Sequence, residues 1–86
     1  MDIDNAEQIG IQLWEVLIHT DAPNNPYYQS LIIGSKNFFD LAKWLELEIK
    51  NKFPVNTDVV EVSQFDEIGS KIGLIKISGK SFYQKE

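Results

Sequence analysis

His19 is the single histidine of this 86-residue chain and stands two positions before Asp21. Histidine exchanges protons near neutral pH, and a neighbouring carboxylate can orient its ring. Nucleophilic catalysis by that route also needs an activated hydroxyl or thiol held against the imidazole. There is no cysteine, and Ser30, Ser35, Ser63, Ser70, Ser78 and Ser81 sit in no nucleophile-elbow motif. The acid pairs Asp2/Asp4 and Asp66/Glu67 lack the spacing of a calcium loop. Gly34, Gly69, Gly73 and Gly79 build no phosphate-cradling loop. These residue types point to a non-enzymatic protein with no cofactor and no metal site. A small-molecule pocket with His19 and the 20–26 loop at its mouth is a further alternative.

Charge narrows the choice of partner. Thirteen Asp and Glu stand against eight Lys and no Arg, for a net charge of −5. Asp2, Asp4, Glu7, Glu15 and Asp21 all precede Lys36, the first lysine, so residues 1–35 carry the whole −5 and residues 36–86 sum to zero. Nucleic-acid affinity comes mostly from Lys and Arg meeting phosphates, and bidentate phosphate recognition favours Arg. Direct nucleic-acid binding is therefore not expected. Without Cys, disulfide scaffolds, zinc–thiolate sites and cysteine enzymes are excluded. The longest wholly apolar runs, 16–18 and 31–33, are three residues long, against roughly 18 for a membrane span. Acids occupy the start of the chain, where a secretion signal carries positive charge, so the expected location is the cytoplasm.

The elements that must position these residues can be read from periodicity and punctuation. Residues 9–19 fit two periods. At period two, Ile9, Ile11, Leu13, Glu15 and Leu17 face one way and Trp14, Val16 and Ile18 the other. At period 3.6, Ile9, Leu13, Val16 and Leu17 line a helix capped by Asn5. The β-branched residues, Trp14 and Gly10 favour a strand. Pro23, Pro26 and the intervening Asn residues mark a loop, and 27–33 reads as a second strand, most simply the partner in a hairpin. Asn37 caps a helix over 38–52, with Asp40 in the first turn, Lys50 and Lys52 in the last, and Pro54 forbidding continuation. Phe38, Leu41, Ala42, Leu45, Ile49 and the trailing Phe53 form its expected packing stripe. Residues 58–65 read as a third strand, 66–70 as a turn and 71–78 as a fourth strand, a second hairpin, with residues 1–8 and 80–86 loosely ordered. The expected architecture is one α+β domain: an antiparallel four-stranded sheet, β-β-α-β-β, with one helix packed on one face.

Two surfaces then stand out as partner-binding candidates. Trp44 and Leu47 lie three apart and off the packing stripe, bracketed by Asp40 and Asn51; an aromatic rimmed by polar groups marks an interaction surface. The acids Asp2, Asp4, Glu7, Glu15 and Asp21, with Tyr27 and Tyr28 beside the loop, form a second. The expected role is an acidic protein-binding factor, of inhibitor, immunity or phage-accessory type, docking on a basic surface of another protein. A basic nucleic-acid-handling enzyme is the partner such carboxylates would suit, by standing where phosphates bind. The alternative is a small homodimeric assembly module that uses the helix back or an unpaired strand edge.

Overall fold

A computed structural model describes residues 10–23 and 25–82. Asp2, Asp4 and Glu7 lie outside the described residues. The elements are β1 (Gln12–Thr20), β2 (Tyr27–Ser35), α1 (Phe38–Lys52), β3 (Thr57–Ile68), β4 (Gly73–Ile77) and a short β5 (Ser81–Phe82). The α+β expectation holds: one helix lies on one face of an antiparallel sheet.

The first segment is a strand. Its burial alternates strictly, with Trp14, Val16, Ile18 and Thr20 inside and Leu13, Glu15, Leu17 and His19 on the opposite face, the period-two pattern of a pleated strand. β1 pairs with β2 from Gln12↔Ser35 to Thr20↔Tyr27, confirming the first hairpin. Ile11 and Leu13 fall on the face away from the helix, as period two requires.

The second expected hairpin does not form. The sheet order is β3-β1-β2-β4, with β5 also pairing β2, so β3 and β4 occupy opposite edges. The reason is direction. β2 ends at Ser35, and a fifteen-residue helix, about 1.5 Å per residue, carries the chain back to the end where β1 meets β2. A strand starting there runs parallel to β2 and antiparallel to β1, and Thr57 accordingly pairs with Thr20. β4 then finds its antiparallel place on the free side of β2, with Ile33↔Leu74 and Leu31↔Ile77.

β3 is longer than expected, absorbing Asp66, Glu67 and Ile68 that turn chemistry assigned to a loop, and irregularities interrupt its register between Leu17/Ile18 and Gln12/Trp14. β4 is shorter, because Lys71 and Ile72 belong to the link that crosses from edge to edge. That link passes over the face opposite the helix. The Gly69 N–H donates to the Ile11 carbonyl at 2.8 Å, and the Lys71 carbonyl lies over Gly34 so closely that any Cβ there would collide with it. A Cβ on Gly69 would fall 2.6 Å from Leu13 Cδ2. Gly34 is thus required by a close approach of backbone, whereas at Gly69 the end of the Leu13 side chain would have to give way.

Asn37 caps α1 as expected, its Oδ1 accepting from the Asp40 N–H at 2.8 Å. The packing face is rotated from the expected stripe. Leu41, Leu45 and Ile49 are buried, but Phe38 is 58% exposed and Ala42 is also exposed. Trp44, expected on the outer surface, packs against the core cluster of Trp14, Val16, Ile18, Leu31 and Ile33. The helix sits over the centre of the sheet, so the flank bearing Trp44 is partly covered and the flank bearing Phe38 and Ala42 is left beside β3.

Candidate functional site

The rotation of α1 leaves β3 only partly roofed, and an apolar groove of about 510 Å³ lies between them. Phe38, Ala42, Leu45 and Ile49 form the helix wall. Val59 and Val62 form the sheet wall, because they lie opposite the buried Ile18 and Val16 of β1 and so share their face. Val55, 94% exposed, stands at one mouth. Phe38 is held in place by a tilted contact with the buried Trp14 ring, 5.9 Å between centroids. The polar rim is Glu46, Lys50, Thr57 and Asp58.

The floor of the groove ends at a sheet edge. Among the described residues β3 pairs only with β1. Its twelve residues carry Asp58, Glu61, Asp66 and Glu67 and no lysine. Asp58, opposite His19, borders the groove, whereas Glu61 lies opposite Leu17 on the face away from the helix, together with Glu15. Glu15, Leu17, Ser30, Glu61 and Ser63 surround a shallow depression of about 140 Å³ there. The edge therefore presents Val59 and Val62 to the helix side, Asp58 at the rim and Glu61 to the other side. Its N-terminal end is tied down by a buried pair of hydroxyls, Thr20 Oγ1 and Thr57 Oγ1 at 2.8 Å, and by the Asp21 N–H donating to the Asn56 carbonyl at 3.0 Å.

Comparisons with protein families, with curated proteins and with solved structures find no match. What this chain does must therefore be argued from its own surface.

The residues singled out from sequence do not gather into one site. Leu47, 61% exposed, and Asn51 lie together on the outer side of α1 with Lys43, Glu46 and Lys50, around a shallow depression. Trp44 does not join them, being packed on the core. Asp40 is exposed in the first turn of α1. Glu15 stays with the β3 acids, whereas Asp21 is exposed at the loop beyond β1. Tyr27 is buried, its ring 5.8 Å from that of Phe82 and covered by the Lys80 ammonium at 4.5 Å. It is a packing residue of the β2–β5 pair, and not the exposed aromatic expected of a binding surface. Tyr28 is half-buried with its ring 4.8 Å from His19, its partner across β1 and β2. No three His, Asp or Glu among the described residues are placed to hold a metal ion. No helix among them is long and apolar enough to cross a membrane.

The acidic edge was visible in the sequence as four acids without a lysine over 57–68. Summing charge over halves of the chain concealed it, because the lysines of α1 and of 71–80 cancelled it. The groove left no such signal; it follows from which side of α1 faces the sheet.

Proposed function

We propose that this chain is a non-enzymatic, acidic protein-binding factor that docks on a basic surface of a partner protein, as an inhibitor, immunity or accessory factor does. The observation that carries the reading is the apolar groove between α1 and β3, bordered by an edge strand with four carboxylates and no cation. Apolar anchors seated in such a groove supply most of the residence time of a complex. Rim carboxylates raise the encounter rate with a basic partner and reject acidic ones. A net charge of −5 adds to the same steering field. A nucleic-acid-handling enzyme is a partner of this kind, its phosphate-binding cations offering what Asp58 and Glu61 would meet.

The test is cross-linking of the purified chain in extract of its native cell, at low and high salt, with the linked peptides identified by mass spectrometry. Links from the groove and the acidic residues to a basic protein, lost at high salt, are the expected result. Links insensitive to salt, or only between copies of this chain, would overturn the reading.

A further inference from the structure

We infer that the occupant of the groove is an extended segment of the partner in which basic and apolar residues alternate, added as a further strand along the outer edge of β3. The inference rests on the docking reading above and names the shape and chemistry of what docks.

Three features converge on it. The outer edge of β3 is unpaired among the described residues, and a strand edge offers N–H and C=O groups to any extended chain laid along it. The two faces of that edge differ in chemistry. Val59 and Val62 look into the groove with Asp58 at its rim, while Glu61 looks to the other side. A strand laid alongside puts every second side chain on each face. One set would therefore continue the apolar layer beneath α1, against Phe38, Ile49 and Val55, and the other would meet Glu61 and Glu15 behind it, with Asp58 at the rim between the two faces. Only a segment alternating apolar with Lys or Arg satisfies both faces.

The charge of the edge also chooses between occupants. A second copy of β3 would bring four carboxylates against four, and like charges across a strand pair are destabilising. The acids of β3 are a device that discourages self-pairing of an edge. The same acids favour a basic strand.

The test uses the full chain, 15N-labelled, titrated with a synthetic decapeptide of alternating Lys and Val closed by Gly at each end. A peptide of alternating Glu and Val and a peptide of the same Lys and Val content with the lysines in one block serve as controls. Shifts and slowed amide exchange confined to β3 and the facing side of α1, seen with the first peptide alone, are expected. D58K and E61K, both at exposed positions, should each weaken that binding by at least about tenfold, with unchanged circular dichroism. Shifts confined to Asp21, Tyr28 or the Leu47 side of α1 would overturn the strand addition and leave acidic docking standing. Equal binding of the Glu peptide, or no binding of either lysine peptide, would count against both.

Discussion

The buried hydroxyl pair Thr20–Thr57 anchors the end of β3 that borders the groove, and its energetics can be worked out in advance. The two Oγ1 atoms are 2.8 Å apart, in residues 2% and 7% exposed, directly opposite each other in the β1–β3 register. Valine has nearly the shape of threonine, so Thr20→Val removes one hydroxyl and leaves the other without its partner in a site closed to water. Stranding a buried polar group costs about 1–3 kcal/mol. Thr57→Val should cost a similar amount for the same reason. Replacing both removes the polar pair altogether and substitutes a methyl–methyl contact, a change close to neutral. The double variant should therefore be more stable than either single one, with a coupling equal to the sum of the two single costs, about 2–6 kcal/mol. In a domain of this size each kcal/mol moves Tm by about 4–8 °C, so the singles should melt well below the parent and the double near it. Urea unfolding followed by the fluorescence of Trp14 and Trp44 measures all four proteins. Single costs that simply add in the double variant would refute the pairing, and with it the idea that these hydroxyls hold β3 in register at the groove.

Other consequences are equally direct. Asn37→Ala removes the acceptor of the Asp40 N–H and should cost about 1 kcal/mol, seen as a lower urea midpoint with an unchanged m-value. Gly34→Ala places a methyl against the Lys71 carbonyl and should cost about 1–3 kcal/mol or more, whereas Gly79→Ala, with open space around its Cβ, should be neutral or gain about 0.4–1 kcal/mol; equal thermal shifts for the two would contradict the crossing link. Trp44→Ala should lower Tm because the ring packs on the core, while Leu47→Ala, on the exposed side of α1, should stay within about 0.5 kcal/mol of the parent. The reverse ranking by differential scanning calorimetry would restore Trp44 to the outer surface.

Local rules were enough for the parts of this protein that depend on near neighbours in the chain. Asn37 and Pro54 bound the helix because capping and the missing proline N–H act within a turn. The alternation of Trp14, Val16 and Ile18 with Leu13, Glu15 and Leu17 made 12–20 a strand because side chains must alternate on a pleat. Turn residues at 21–26 joined two such strands into a hairpin. Which strand lies beside which was not local. β3 pairs with β1 and not with β4, because the length and direction of α1 deliver it to the far end of the sheet. Where the helix sits was not local either: a 3.6-residue wheel allows Leu41, Leu45 and Ile49 to be centred toward Phe38 or toward Trp44, and only contact with Trp14, Ile18 and Ile33 decides. From that rotation come a partly covered Trp44 and an open flank beside β3. The acidity follows the same division. The count of carboxylates is written in the chain, but whether they cancel against lysines depends on distance in space, and Glu61 comes beside Glu15 only once β3 is laid against β1.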